Sequence, residues 1–154
     1  MVKHVIPNLK ASGWTVTIEN LESNETITSD FKAMMICNGH YSMPSIPDLP
    51  GLTLFLGTAM HSHDYRTPEP FKDKTVAILG AAASGTDIGC ELSTVAKQVY
   101  LCHNNPFHPS PLPSNFEQKK GIVEVIGPKQ LRLSDGTTLS DVDVILFCTG
   151  YHCM

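Results

Sequence analysis

The stretch VAILGAAASGTDIG, residues 76–89, limits the possible folds more than any other part of the sequence. Its first four residues form an apolar run suited to a buried strand, and a turn of glycine and alanine follows. Beyond the turn, apolar side chains recur at helical spacing, at Ile88, Leu92, Val95 and Ala96. A strand, a glycine turn and a helix in this order are typical of a dinucleotide-binding unit.

The turn matches the pattern GxGxxG at Gly80 and Gly85 but has Ala82 at the middle position. In that pattern the three glycines allow a tight turn, a close approach of the pyrophosphate, and packing of the helix on the strand. Amide groups at the start of the helix would bind the pyrophosphate. The residues placed there are Ser84, Gly85, Thr86 and Asp87. In the structural alternative, Ser84 and Asp87 cap the helix and the small residues serve only close packing.

The end of the next predicted strand, residues 99–103, leaves the choice of nucleotide open. An acidic residue there would favour NAD, and a nearby arginine would favour NADP. The sequence has His103, Asn104 and Asn105 instead, with no formal charge. NADP is therefore allowed, with His103 or Asn104 as possible donors to its 2′-phosphate.

An internal similarity indicates that a second unit of this kind lies nearer the N-terminus. DFKAMMICNG, residues 30–39, and DVDVILFCTG, residues 141–150, both run from Asp through an apolar strand to Cys-x-Gly. Short alternating strands precede each, at 13–28 and at 121–139, the latter with a hairpin turn at 135–136. We therefore predict two β-meanders that each feed one buried strand. A chance likeness between antiparallel meanders is the alternative.

The spacing of the two copies predicts that this chain is a piece of a longer protein. The glycine turn lies 68 residues before Cys148, and the same offset from Cys37 falls before residue 1. We expect a protein with two dinucleotide-binding domains, of which the first has lost its opening and the second is nearly whole.

A proline-rich segment, residues 42–66, separates the two copies and indicates a linker. It contains Phe55-x-Gly57-x-x-x-His61-x-x-x-Tyr65. This resembles the F-x-G-x-x-x-H-x-x-x-Y/F signature of the flavin-containing monooxygenases. In the structural alternative these side chains are only a linker anchor, a turn, a buried imidazole and a core phenol.

Three other segments resemble motifs of the same family and occur in the family's order. They are CNGHYSMP at 37–44, GAAASG at 80–85 and FCTGY at 147–151, with Cys148 where alanine is usual. From this resemblance we expect cofactor contacts at the ends of the two repeated strands. The residues concerned are Asn38, Gly39, Thr149 and Gly150.

The resemblance implies a reaction and two cofactors. The family binds FAD in its first domain and NADPH in its second, and O2 forms a C4a-hydroperoxide on the reduced flavin. That oxygen passes to a soft nucleophile, an amine nitrogen or a sulfide sulfur. By the same resemblance, residues 84–87 contact NADP and the His61 loop holds it against the flavin. Because the family's FAD glycine turn has no counterpart here, we expect no catalytic residue in this chain and neither FAD binding nor activity from it alone.

Three rival interpretations remain open. Baeyer–Villiger monooxygenases share the architecture but end a similar signature in Trp, where Tyr65 stands. Pyridine-nucleotide disulfide reductases need a redox cysteine pair, which this sequence lacks. A catalytically incompetent nucleotide-binding remnant is the third possibility.

The predicted fold is α/β. Residues 1–43 are the C-terminal part of a truncated FAD-binding domain, built of antiparallel strands. Residues 44–74 are the inter-domain linker with the signature. Residues 75–154 form a doubly wound, Rossmann-type NADP-binding domain that is truncated at its end, with a proline-rich surface loop at 105–113.

Composition excludes several other classes of function. A net charge of −4 without basic clusters argues against nucleic acid as a partner. The longest apolar runs, 33–37 and 144–148, are far short of the ~20 residues that cross a bilayer. Five cysteines without a CxxC pair indicate reduced thiols, and the histidines lack metal-ligand spacing. We expect a cytoplasmic protein without a metal, whose partners are a small nucleophilic molecule and O2.

Overall fold

The computed structural model describes residues 1–10, 12–106 and 112–152. It divides the chain into two compact units, Met1–Gly39 and His40–Met154. Most of the predicted proline-rich loop lies outside the described residues. Residues 44–74, predicted as a linker, lie within the second unit.

The first unit is an antiparallel sheet. Its strands, in the spatial order β1-β2-β3, are β1 (Val2–Asn8), β2 (Gly13–Glu19) and β3 (Thr26–Phe31). The alternating pattern that predicted two strands within residues 13–28 is confirmed, and β2 lies at the centre of the sheet. Val16, at the middle of β2, is buried, and the other residues of this strand are half-buried.

The prediction of a buried strand directly after this meander is wrong. Residues 33–37 lie outside any strand, and the side chains of Met35 and Ile36 are 86% and 74% exposed. A strand becomes buried through partners on its edges and faces, and no described residue pairs with 33–37. The apolar sequence alone therefore did not determine burial.

The second unit contains, within the described residues, one parallel sheet, two antiparallel sheets and one α-helix. Its elements are β4 (Met43–Pro44), β5 (Thr58–His61), β6 (Thr75–Leu79), α1 (Ala83–Leu92), β7 (Gln98–Cys102), β8 (Phe116–Lys119), β9 (Ile122–Gly127), β10 (Gln130–Leu133), β11 (Thr138–Leu139), β12 (Val144–Phe147) and β13 (Tyr151–His152). The parallel sheet has the order β5-β12-β6-β7-β8, β9–β11 form a meander, and β4 pairs with β13. The predicted α/β, Rossmann-type fold is confirmed.

Both faces of the parallel sheet are covered. Successive strand residues point to opposite faces, so Val76 and Ile78 join the cluster that includes Leu92 of α1. Ala77, between them, joins the cluster that includes Leu131 of the meander. The helix and the meander therefore pack on opposite faces, and the edge where the parallel strands end is left for a ligand.

The helix is shorter than the sequence predicts. The predicted apolar face comprises Ile88, Leu92, Val95 and Ala96. The helix ends at Leu92, because Asn115 Nδ2 donates to the carbonyls of Ser93 and Ala96, at 2.9 and 3.0 Å, and fixes a non-helical turn. Ala96 is still buried, so the pattern predicted burial correctly but not the length of the helix.

Within the ranges described above, no helix is both long enough and apolar enough to span a membrane. In the same ranges, no three His, Cys, Asp or Glu side chains lie close enough together to hold a metal ion.

Asp143 ties together the amino ends of three strands. Its Oδ2 accepts a hydrogen bond from the Thr75 amide at 3.0 Å, and its Oδ1 pairs with Lys129 Nζ at 2.6 Å. The Thr58 amide donates to its backbone carbonyl at 3.0 Å, which places β5 beside β12. The hydrogen bonds from Lys129 and then Thr75 hold the pKa of this carboxyl below its ordinary value.

We expect Asp143→Asn to destabilise the chain at neutral pH by about 1–2 kcal/mol, since hydrogen bonds to a charged group are lost or weakened. A lowered folded-state pKa means that the carboxylate stabilises the fold above its unfolded pKa of about 4, and that this stabilisation is lost as the pH falls through the folded value. Urea unfolding over this acid range tests it. The substituted chain should lose less stability on acidification, and equal acid slopes for both chains would contradict the role given to Asp143.

Candidate functional site

A pocket of about 280 Å³ lies where β6 and β12 end and α1 begins. It is lined by Tyr41, Ala82, Ala83, Ser84, Cys148, Gly150 and Tyr151. In open parallel sheets, ligands bind at the carboxyl ends of the strands, where the chain turns to opposite sides of the sheet. The pocket occupies this position.

The two outer glycines of the turn are required by close backbone contacts. Gly80 has φ of 109°, and a Cβ at this residue would lie 2.4 Å from the carbonyl oxygen of Cys148. A Cβ at Gly85 would lie 2.0 Å from the carbonyl oxygen of Gly80. The first glycine thus makes the tight turn and the other lets α1 pack on the strand, as in the dinucleotide pattern.

The start of α1 opens on the pocket. Ala82 is the N-cap residue and makes no side-chain cap hydrogen bond, so capping by Ser84 or Asp87 is not what the structure shows. The first amide groups of any α-helix lack intrahelical acceptors. An anion in the pocket would meet these groups and the exposed Ser84 side chain. Thr86 is half-buried and Asp87 is exposed, one turn further along the helix.

The first two signature residues serve packing. A Cβ at Gly57 would lie 2.3 Å from the carbonyl oxygen of Asp143 and 2.6 Å from the ring of Phe55. The Phe55 ring packs against the core cluster on the meander side of the sheet. The pair therefore allows the start of β5 to approach β12, and in the resulting register the last residue of β5 lies beside Phe147 at the carboxyl end of the sheet.

His61 stands at that end and is 1% exposed. Its Nδ1 accepts a hydrogen bond from the His63 amide at 3.0 Å, so the neutral ring carries its proton on Nε2. Within the described residues Nε2 has no partner at normal hydrogen-bond geometry. Burial lowers the pKa of the imidazole, and the Gly150 carbonyl opposes this shift. The ring lies edge-on to Tyr151, with centroids 5.3 Å apart.

Tyr65, the last signature residue, joins this segment to α1. Its hydroxyl donates to Glu91 Oε2 at 2.9 Å, and its ring packs against Phe71. Burial, and then the Glu91 carboxylate, raise the pKa of the phenol. The hydroxyl therefore stays protonated and keeps its hydrogen bond at neutral pH.

The segment after β12 forms another wall of the pocket. Thr149 Oγ1 donates to the Ser45 carbonyl, and the Ser45 amide donates to the Gly150 carbonyl at 2.9 Å. Burial raises the pKa of Cys148 to about 11, so its thiol is neutral. Of the predicted cofactor contacts, Thr149 and Gly150 thus lie beside the glycine turn, whereas Asn38 and Gly39 belong to the other unit.

The sequence model described as "FMO-like: Flavin-binding monooxygenase-like" matches residues 2–107. The chain belongs to this family. The family's flavin monooxygenases are oxidoreductases, and membership implies a flavin cofactor.

Three similar proteins place the chain within the flavin-binding monooxygenases. It is 37% identical to flavin-containing monooxygenase FMO GS-OX-like 3 of Arabidopsis thaliana, over 87% of this chain and 31% of that protein. It is 34% identical to a trimethylamine monooxygenase of Roseovarius nubinhibens, over 97% and 33%. The structure of S-allyl-L-cysteine S-oxygenase from Allium sativum matches with a TM-score of 0.77 and 33% identity, over 97% and 34%. The chain spans about a third of the length of these relatives.

His103 and Asn104, the residues predicted to contact the ribose, each form hydrogen bonds within the protein. His103 is buried, and its Nε2 lies 3.1 Å from Gln118 Oε1. Asn104 is exposed, and its Oδ1 accepts hydrogen bonds from the Gly121 amide and the Ser134 hydroxyl. The side chain of His103 therefore lies inside the unit, whereas that of Asn104 lies at its surface.

Sequence reasoning missed Tyr41 and Tyr151 as site residues. Both line the pocket, with ring centroids 5.3 Å apart. Tyr151 also contacts the rings of His61 and His63. The internal similarity held the signal, because a tyrosine follows the Cys-x-Gly of each copy within two residues.

Proposed function

We propose that this chain is the NADP-binding part of an FAD- and NADPH-dependent monooxygenase. The observation that carries the proposal is the turn at Gly80 and Gly85, where neighbouring carbonyls leave no room for a Cβ and the uncapped start of α1 opens on the pocket. The residues that would hold NADP are Gly80, Ala82, Ser84, Gly85, Thr86, Asp87, Thr149 and Gly150.

Each part of the site has a distinct task in this proposal. The amides at the start of α1 bind the pyrophosphate, and the Ser84 hydroxyl donates to one of its oxygens. Neutral His61 holds the ring of Tyr151 at the other side of the pocket. The signature segment thus positions the cofactor and moves no proton. When bound, the nicotinamide supplies a hydride to the flavin, and the flavin supplies the oxygen chemistry.

The proposed oxygen acceptor is a soft nucleophile, an amine nitrogen or a sulfide sulfur, with O2 as co-substrate. The names of two relatives support this class, since one is a trimethylamine monooxygenase and the other an S-allyl-L-cysteine S-oxygenase. Tyr65, hydrogen-bonded to Glu91, ends the signature, and this favours the N- and S-oxygenases over the Baeyer–Villiger type. A cytoplasmic location stays a prediction of the sequence.

The residues of this chain alone do not fit a complete FAD site. The sequence contains one strand–glycine turn–helix segment, at 75–92, and its pocket is assigned to NADP. In the first unit, Asn38 and Gly39 follow an exposed segment that pairs with no described strand. We therefore propose that these two residues contact FAD only within a longer protein, and that this chain alone is inactive.

Calorimetric titration of the purified chain with NADPH, together with its visible absorption spectrum, tests the proposal. We expect stoichiometric NADPH binding and no flavin absorbance. A folded chain that binds no NADPH, or one that purifies with stoichiometric flavin, would contradict the proposed division of the cofactors.

Sequencing the source transcript upstream of the Met1 codon tests whether this chain is part of a longer protein. An open frame with a second strand–glycine turn–helix would supply the FAD site, and the longer protein should oxidise NADPH in the presence of trimethylamine or an allyl sulfide. A stop codon immediately upstream would instead favour the catalytically incompetent nucleotide-binding remnant.

A further inference from the structure

His61 connects the signature segment to the wall of the pocket. It is the last residue of β5, and it lies beside Phe147, just before the residues after β12 that line the pocket. Its side chain is 1% exposed, and its ring lies edge-on to Tyr151 with centroids 5.3 Å apart. The proposed function uses this ring only as a neutral support. An imidazole is also a group whose charge can change between about pH 5 and pH 8.

One hydrogen bond of this ring exists only while the ring is neutral. Nδ1 accepts from the His63 amide at 3.0 Å, and this bond caps the short 3-10 turn Ser62–Asp64. A backbone N–H can only donate, and both nitrogens of a protonated imidazole are donors. Protonation therefore sets two N–H groups against each other. The ring and the turn cannot both keep their places when His61 carries a positive charge.

The groups around the ring do not compensate for such a charge. The titratable and charged residues of the neighbouring elements are His63, Asp64 and Arg66 of its own segment, Cys148, Tyr151 and His152 after β12, His40 and Tyr41 before β4, and Asp87 and Glu91 of α1. Asp64 is exposed, so water screens its attraction. Glu91 accepts from Tyr65, and the buried Cys148 thiol is neutral because its pKa is raised to about 11. The Gly150 carbonyl favours a proton on the ring, but the neutral ring already carries one on Nε2.

We propose that His61 makes nucleotide binding sensitive to acid: protonation of its ring opens the turn Ser62–Asp64, releases the ring of Tyr151 and weakens binding in the pocket. The inference rests on the proposed nucleotide-binding function of that pocket. Burial lowers the pKa of His61 from its ordinary value of 6.5. The neutral ring therefore stabilises the closed turn above this value, and the stabilisation is lost as the pH falls toward the lowered pKa. Each pH unit in that interval favours the open turn by up to about tenfold.

Calorimetry with NADP+ at about pH 7.5 and about pH 5.5, on the whole chain and on His61→Asn, tests the proposal. Asparagine keeps an acceptor for the His63 amide and does not titrate. The 2′-phosphate of NADP+ itself titrates near pH ~6, so the ratio of the two affinities at each pH is the quantity to compare. We expect acidification to weaken binding to the unsubstituted chain at least about threefold more than binding to His61→Asn.

His63→Asn is the matched control, because it removes the neighbouring imidazole but keeps the backbone amide that donates to His61. Its affinity should depend on pH as that of the unsubstituted chain does. NMR of the imidazole nitrogens supplies a second measurement. Because bound nucleotide stabilises the closed turn, NADP+ should lower the pKa at which His61 titrates.

The outcomes separate this inference from the function on which it rests. Equal pH dependence in the unsubstituted chain and His61→Asn, or a His61 titration that NADP+ leaves unchanged, overturns the acid response but leaves the NADP site in place. Loss of the pH dependence in His63→Asn, or cooperative unfolding of the whole chain before His61 titrates, overturns it as well. A folded chain that binds no NADP+ at about pH 7.5 overturns both proposals.

Discussion

Replacing Gly80 with alanine is expected to abolish measurable nucleotide binding and to lower the free energy of unfolding by about 3 kcal/mol. Alanine is strained at φ of 109°, and its Cβ would lie 2.4 Å from the Cys148 carbonyl oxygen. That carbonyl belongs to the backbone after β12, so the turn must move to relieve the contact. The start of α1 follows the turn, and its amides would then no longer converge on the pocket. Denaturant unfolding and NADP+ calorimetry on the same sample measure both effects.

Gly136→Ala is the matched control for this substitution. Gly136 also has a positive φ, 85°, but a Cβ there would have no atom within 4 Å. The control therefore adds backbone strain without a clash, and about 1 kcal/mol of destabilisation with unchanged NADP+ affinity is expected. If Gly80→Ala behaved like the control, the close approach of Gly80 to β12 could not be what requires glycine in the turn.

His61→Ala is expected to lower the free energy of unfolding by about 3 kcal/mol and to weaken NADP+ binding. The substitution empties a site that is 1% exposed and leaves the His63 amide without its acceptor. It also removes the ring that lies edge-on to Tyr151, which lines the pocket. Tyr151 would then be held less firmly, so the affinity falls although His61 itself is not among the residues that line the pocket.

His61→Asn separates the two tasks of this residue. An asparagine oxygen can accept from the His63 amide as an N-cap does, so about 1 kcal/mol of the lost stability should return. The ring contact with Tyr151 is not restored, and the NADP+ affinity should stay as low as in His61→Ala. Unchanged NADP+ affinity in both variants would show that His61 serves only the fold.

These contacts give the signature a structural explanation. Phe55 and Gly57 let β5 approach β12, His61 fixes Tyr151 at the end of β5, and Tyr65 anchors the segment to α1. Each residue acts through packing or a hydrogen bond to a neighbouring element. The signature is therefore better understood as a positioning device than as a set of reacting groups.

Local patterns in the sequence predicted the elements whose partners are close in the chain. The apolar run 76–79, the glycines at 80 and 85 and the alternation within 13–28 each determine their structure over a few residues. They led to the strand, the tight turn and the antiparallel sheet that the structure contains. The pocket at the start of α1 lies where the same short stretch predicted nucleotide binding.

Features that depend on distant residues could not be predicted in this way. Residues 33–37 are as apolar as β12, yet all of them except Met34 are exposed, because no described strand pairs with them. The end of α1 depends on Asn115, about twenty residues beyond it. Asp143 holds Thr75 and Lys129 through hydrogen bonds that no sequence motif indicates.

Chemical-shift mapping of the backbone amides by NMR, with NADP+ added to the purified chain, tests the central claim most directly. The account predicts that the shifts concentrate at Gly80–Thr86 and at Gly150 and Tyr151, while β1–β3 are unaffected. Shifts confined to the first unit, or the absence of shifts in a folded chain, would contradict the assignment of the NADP site to the glycine turn.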